Sequence, residues 1–315
     1  MPLPKTAKQH NPAPIRIIEV APRDGLQNEP GILSADTKVS FINALSQTGV
    51  AEIEVGSFVS PRAIPQLADS DEVFRKIERR PGVVYSALVP NERGLARASA
   101  AAVEKIAVFT AASDTFTQRN IHCTVSESIE RFRSVVSQAR QAGMAVRAYL
   151  STATHCPFEG SIPPSRVVQV MQDLLELGVE EISLGDTIGK AAPNDVRRLM
   201  DEIIPHIPLS ALSLHFHDTY GLALANVLTA WMEYGITSFD TSAGGLGGCP
   251  YAPGASGNVA TEDVVYALRA SGASVGVDER RVMIAAEPVG ALLNHPLASR
   301  LSRVHPHRTS CEAVR

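Results

Sequence analysis

The chain has 315 residues, 44% of them hydrophobic and 20% charged, with a formal charge of −4. These are the values of an ordinary globular protein, large enough for one big barrel or two smaller domains. No basic block or stripe is present, so nucleic acid is not an expected partner, and no apolar run approaches the ~20 residues that span a bilayer, so no membrane is expected either.

The first fourteen residues are polar and proline-spiked, without arginine or an apolar run. They resemble neither a secretory signal nor a mitochondrial leader, and a flexible extension over 1–14 and a cytoplasmic location are expected. The four cysteines, Cys123, Cys156, Cys249 and Cys311, form no Cys-x-x-Cys pair. Neither a structural zinc nor a disulfide framework is expected, and a reducing compartment fits.

In chain order, β-rich runs at 15–20, 52–55, 83–88, 105–109, 145–150, 181–184, 212–215 and 237–241 alternate with helix-like segments such as 38–48, 72–79, 125–142, 165–177, 193–204 and 223–234. Glycines at 49, 143, 178 and 235 stand at helix exits, where a left-handed cap carries little strain. Eight strands each followed by a helix predict an α/β fold, a (β/α)8 TIM barrel over 15–275. An open doubly wound sheet is the alternative. The turn after its first strand should then carry phosphate-binding glycines, and here it reads Ala21-Pro22-Arg23-Asp24-Gly25. A helix to about 271 completes the eighth unit, residues 276–303 are predicted as extra C-terminal helices beside the barrel, and 304–315 as a mobile tail.

Chemistry in such a barrel belongs at the C-terminal ends of the strands. Those ends carry Arg23 and Asp24, then Glu54 and Ser57, Ser151 and Thr154, Asp186, the pair His215 and His217, and finally Asp240 and Ser242. So many polar groups on one rim exceed what capping alone requires. Residues two apart on a strand share a face, so His215 and His217 point the same way. With the Asp24 carboxylate and the Asn258 amide carbonyl they form a donor set without thiolate that suits Mg2+ or Mn2+. The alternatives stay open: two hydrogen-bonded core histidines, Asn258 or Asp186 as caps of the helices that follow them, and Glu54 as the partner of a barrel arginine such as Arg147.

Cys249 lies between Gly248 and Pro250 in a glycine-rich loop. An inert, buried cysteine is the usual case, but a thiol in so little bulk is accessible, and a mobile loop can carry it over a substrate as a lid. The glycines match neither a dinucleotide fingerprint nor a P-loop.

Taken together, the runs 20–29, Gly56-Ser57-Phe58-Val59-Ser60-Pro61, 183–189, His215-Phe216-His217-Asp218-Thr219-Tyr220-Gly221 and 244–258 resemble the 3-hydroxy-3-methylglutaryl-CoA lyases, with the similarity extending over about 15–271. These lyases belong to a metal-dependent TIM-barrel group that also contains isopropylmalate and homocitrate synthases, and the Cys249-Pro250-Tyr251 loop points to the lyase branch. The resemblance implies Asp24, His215, His217 and Asn258 as ligands of a divalent ion, Mg2+ or Mn2+. It implies a catalytic set of Arg23, Glu54, Asp186 and Cys249, with His215 also moving protons, and Gln27 and Ser57 beside the substrate. The implied reaction is retro-Claisen cleavage of an acyl-CoA thioester, 3-hydroxy-3-methylglutaryl-CoA, to acetoacetate and acetyl-CoA, in a homodimer or higher homo-oligomer. Rival readings are a lyase for a longer 3-hydroxy-3-alkylglutaryl-CoA, a Claisen-type synthase, an aldolase on a 4-hydroxy-2-oxo acid, and a silent binding barrel. A synthase is expected to carry a large further region, whereas this chain runs only ~45 residues past its last barrel helix.

Overall fold

The computed structural model describes residues 13–249, 252–294 and 296–305, without the side chains of 249 and 252–256. Most of the expected extension over 1–14, and the tail over 304–315 beyond residue 305, with Cys311, lie outside the described residues.

Eight parallel strands close into a barrel in chain order: β1 (Arg16–Glu19), β2 (Glu52–Ser57), β3 (Val84–Leu88), β4 (Lys105–Ala111), β5 (Ala145–Ser151), β6 (Glu181–Asp186), β7 (Leu212–Phe216) and β8 (Ser238–Thr241). Closure comes from β8 pairing with β1, with Ile18 opposite Asp240. That pairing excludes the open-sheet alternative. Around the barrel run α1 (Ala35–Leu45), α2 (Ser70–Lys76), α3 (Glu92–Ala100), α4 (Asp114–Ile121), α5 (Val125–Gln141), α6 (Pro164–Leu177), α7 (Pro193–Ile203), α8 (Ala223–Tyr234) and α9 (Thr261–Ala270). The expected C-terminal helices are α10 (Glu279–Leu293) and the short α11 (Arg300–Val304). Among the described residues no helix is long and apolar enough to cross a membrane.

Several boundaries differ by a few residues from the sequence reading, and two of the differences have a clear local reason. Helix α1 begins at Ala35 rather than 38, because the Ser34 hydroxyl accepts the Thr37 N–H and caps a polar first turn. Strands β2 and β6 run two residues further, to Ser57 and Asp186. Gly56-Ser57 and Gly185-Asp186 have low strand propensity, but their parallel neighbours continue the ladder, pairing Ser57 with Leu88 and Asp186 with Phe216.

Alternation along each strand sends one face to the helices and the other to the barrel axis. On β5, Val146, Ala148 and Leu150 join the apolar layer under the helices, while Arg147 and Tyr149 occupy the other face. Barrel interiors are commonly filled with branched apolar side chains; this one holds charges. At the bottom, Arg16 meets Glu52 at 2.5 Å and Glu181 at 2.7 Å, and Lys105 meets the same two carboxylates at 2.9 and 2.8 Å. Above them the fully buried Arg147 reaches Asp240 at 2.8 Å and Glu181 at 3.2 Å. Asp240 also accepts the hydroxyls of Ser183 (2.6 Å) and Ser213 (3.0 Å). Removing one partner of such a buried pair strands the other charge, at a cost of roughly 3–5 kcal/mol. The polar interior thus forms a stack, and the C-terminal mouth is its top layer.

Candidate active site

The chain leaves β1 through a single π-helical turn, Ala21–Gly25, which carries Arg23 and Asp24 into the mouth. Arg23 is 5% exposed and sits over the Tyr149 ring, 4.9 Å from its centroid. Its Nε donates to Glu54 Oε2 at 2.6 Å and its Nη1 to Asp24 Oδ1 at 2.5 Å. Glu54 therefore pairs with Arg23, not with Arg147, whose Nη2 donates to both oxygens of Asp240. Glu54 Oε2 also accepts the Tyr149 hydroxyl at 2.8 Å, while Oε1 is buried without a partner.

The two oxygens of Asp24 are divided between neighbours. Oδ1 takes Arg23 and the Gln27 amide (2.8 Å), and Oδ2 faces the Asn258 amide nitrogen (2.9 Å) and His215 Nε2 (3.9 Å). His215 and His217 stand with ring centroids 5.1 Å apart, as their shared strand face requires. One donor atom each from Asp24, His215 and His217 lies within 4.8 Å of the others. Ligands about 2.1 Å from a common ion lie ~3–4 Å apart, so the 3.9 Å gap between Asp24 and His215, too long for a hydrogen bond, is the spacing a divalent ion would bridge. These three residues can hold a metal.

Electrostatics favour the ligand forms of Asp24 and His217. Burial works against ionised Asp24, but Arg23 and the two imidazoles outweigh it and bring its pKa to about 2. Burial and the adjacent His215 pull His217 down to about 4, which leaves its lone pair free at neutral pH. Burial also opposes charge on His215, yet Asp240, 3.4 Å from its Nδ1, and Asp24 raise it above an ordinary imidazole. Burial is likewise set against the Arg23 guanidinium, and Glu54 with Asp24 overcomes it. Burial raises Glu54 despite the Arg23 contact.

The remaining expectations fall in different places. Asn258 pairs across a bridge with His217 and is not a helix cap: α9 begins at Thr261, after Ala260. It turns its amide nitrogen, not its carbonyl, to Asp24 and to the Leu246 carbonyl (3.1 Å). Asp186 caps no helix either. Its carboxylate accepts the Thr154 hydroxyl and the N–H groups of Lys190 and Ala191, bracing the turn after β6, and burial raises it to about 6. The Ser57 hydroxyl bonds the Leu88 carbonyl and the Val59 N–H. Neither Asp186 nor Ser57 lines the mouth cavity. The backbone of Cys249 lies in a small hairpin, Gly248–Cys249 paired with Ala252–Ser256, rather than in an open loop; its side chain and residues 250–251 lie outside the described residues.

The mouth holds a cavity of about 360 Å3, within the size range of small-molecule sites. Arg23, Asp24, Gln27, His215 and His217 are among its polar lining, and Val59, Ile64, Leu88, Phe109 and Phe116 contribute apolar wall. A larger hollow of about 610 Å3 lies beside α10 and α11, and none of the three clustered donors lines it. Tyr149 was not among the residues singled out from the sequence. The i, i+2 spacing of Arg147 and Tyr149 on β5, two large polar side chains on one face, was the available signal.

A family model described as HMGL-like matches residues 14–289. The chain belongs to the HMGL-like family. Within it, the chain is 49% identical to the rat 3-hydroxy-3-methylglutaryl-CoA lyase, cytoplasmic, over 93% of its own length and 85% of the relative's. It is 46% identical to the Pseudomonas aeruginosa 3-hydroxy-3-isohexenylglutaryl-CoA/hydroxy-methylglutaryl-CoA lyase, over 93% of this chain and 97% of that one. The crystal structure of the family's Bacillus subtilis HMG-CoA lyase superposes with a TM-score of 0.92 at 45% identity, covering 94% of this chain and 99% of that one.

Proposed function

We propose that this chain cleaves 3-hydroxy-3-methylglutaryl-CoA to acetoacetate and acetyl-CoA with the help of Mg2+ or Mn2+. The single observation that carries the reading is the Asp24–His215–His217 donor cluster at the rim of a cavity that also presents Arg23. Asn258 is the candidate fourth ligand, since a half-turn of its amide would offer oxygen where nitrogen now meets Asp24. What a divalent ion supplies at such a site when bound is Lewis acidity, which lowers the pKa of a hydroxyl held against it.

In this reading the 3-hydroxyl gives up its proton, the electrons of the C2–C3 bond pass to the thioester as an enolate, and the ketone of acetoacetate forms. Glu54 serves as the base through the Tyr149 hydroxyl, which donates to Glu54 and lines the cavity. The raised pKa of Glu54 suits a group that must take a proton. Arg23 stabilises the enolate oxygen, a role worth roughly 3–4 kcal/mol for a single donor of this kind, and Cys249 returns a proton to the enolate carbon. Asp186 shapes the turn behind β6, and Gln27 orients Asp24.

A second reading concerns the substituent at C3. An apolar wall of Val59, Ile64, Leu88, Phe109 and Phe116 is more than one methyl group needs, which favours activity on longer 3-hydroxy-3-alkylglutaryl-CoA thioesters as well. Acetyl-CoA release from 3-hydroxy-3-methylglutaryl-CoA and from a panel of such thioesters, with and without chelator, tests both readings. Cleavage that survives exhaustive chelation would remove the metal role, and failure on every thioester would remove the reaction.

A further inference from the structure

The segment between α10 and α11 closes on the loop that leads into the active site. Gly244 and Gly245 turn through left-handed backbone, φ +67° and +66°. A Cβ on Gly244 would lie 2.9 Å from the Leu297 side chain, and one on Gly245 would lie 3.0 Å from Ala298 Cβ. The Gly244 carbonyl accepts the N–H groups of Ala298 (2.9 Å) and Ser299 (3.2 Å). Two adjacent buried acids of α9 lock the arrangement. Glu262 accepts the Gly244 N–H and the Ser302 hydroxyl, both at 3.0 Å, and Asp263 accepts the Ser299 hydroxyl and the N–H groups of Arg300 and Leu301.

From this locked turn the path to the site is short. Two residues on, the Leu246 carbonyl accepts the Asn258 amide that also meets Asp24. On the other flank Arg300 Nη1 pairs with Asp218 Oδ2 at 2.7 Å, and the Asp218 N–H donates to Gly257 at 2.7 Å. Residues 297–300 therefore grip both backbone segments that bracket Asn258, one beside Leu246 and one beside His217.

We propose that residues 297–300 act as a strap that positions the active site, with Leu297 and Arg300 as its positioning residues. The strap sets the 244–247 turn, and through it Asn258 and the backbone of the paired Gly248–Cys249 and Ala252–Ser256 strands, against Asp24 and His217. Two buried carboxylates are an expensive way to hold a five-residue surface helix, and they gain a purpose if the loop they fix must sit within fractions of an ångström of its working place. The strap rests on the reading of Asp24, His215, His217 and Asn258 as a metal site.

The test uses the full chain with Leu297→Ala, Leu297→Met, Arg300→Gln and, as a stability control on the far side of the barrel, Val170→Ala. Thioester cleavage gives kcat and KM, Mn2+ titration followed by electron paramagnetic resonance gives metal affinity directly, and thermal melts give stability. Leu297→Ala is expected to lower kcat by about tenfold or more, as a small misplacement does, and to weaken Mn2+ binding, with Leu297→Met restoring both. Arg300 is exposed, so Arg300→Gln will fold, and weaker Mn2+ binding without a lowered melting point is expected. Full Mn2+ affinity and kcat in both Leu297→Ala and Arg300→Gln, or losses no larger than those of Val170→Ala at equal loss of melting temperature, overturn the strap. If the unmodified protein binds no Mn2+, the metal reading itself has failed, which is a distinguishable outcome.

Discussion

Nδ1 of His215 lies 3.4 Å from Oδ2 of Asp240, and the same carboxylate is held in both oxygens by the buried Arg147. The ring nitrogen that faces Asp24 is thereby aimed from behind. A carboxylate behind a metal-binding imidazole fixes its tautomer and orientation, and losing it typically costs about 10–100-fold in metal affinity. Asp240→Asn should show that loss in a Mn2+ titration, together with a lower melting temperature because the buried Arg147 loses the nearer of its counter-charges. Unchanged Mn2+ affinity would mean that Asp240 serves only the polar core.

Arg23 makes the complementary prediction. Arg23→Gln removes the cation poised over the cavity but none of the three clustered donors. Turnover should fall by about 10²–10³, the range seen for loss of one donor to a developing oxyanion, while Mn2+ still binds. Near-normal turnover would show that the enolate is stabilised elsewhere.

For metal binding the order of effects is informative. His217 is a neutral donor in the cluster, whereas Asn258 now contributes an amide nitrogen beside it. His217→Ala should therefore weaken Mn2+ binding more than Asn258→Ala. The reverse order in equilibrium titrations would shift the coordination centre towards the 257–258 bridge.

A pH test falls on Glu19, fully buried below the mouth, which accepts the N–H groups of Ala21 and Ala243 and the Thr261 hydroxyl. Burial raises its pKa from 4.5 to about 7, despite those bonds. Between these values the folded protein keeps a proton that the unfolded chain has lost. The resulting stability is complete below pH 4.5 and disappears as pH rises through about 7, a change of up to about 3 kcal/mol from this one group. Denaturant melts should show Glu19→Gln gaining on the unmodified protein from pH 5 to pH 8, by that order of magnitude. A constant difference across that window would place the Glu19 pKa near its ordinary value.

The sequence by itself determined the barrel and the rim. Periodicity of apolar runs, glycines at helix exits and polar residues at strand ends are local signals, and a closed parallel barrel is the arrangement that satisfies eight of them in succession. The pairing of His215 with His217 was legible for the same reason, since strand geometry alone puts both imidazoles on one face. Partnership across the barrel was not legible. Glu54 meets Arg23 rather than Arg147, Asp186 turns to its own loop, and Asp240 stands behind His215, because which charges face each other depends on register and stagger between strands far apart in the chain. The hold of residues 297–300 on Gly244 was equally hidden: it depends on a close approach between two segments some fifty residues apart, which no periodicity in either segment records.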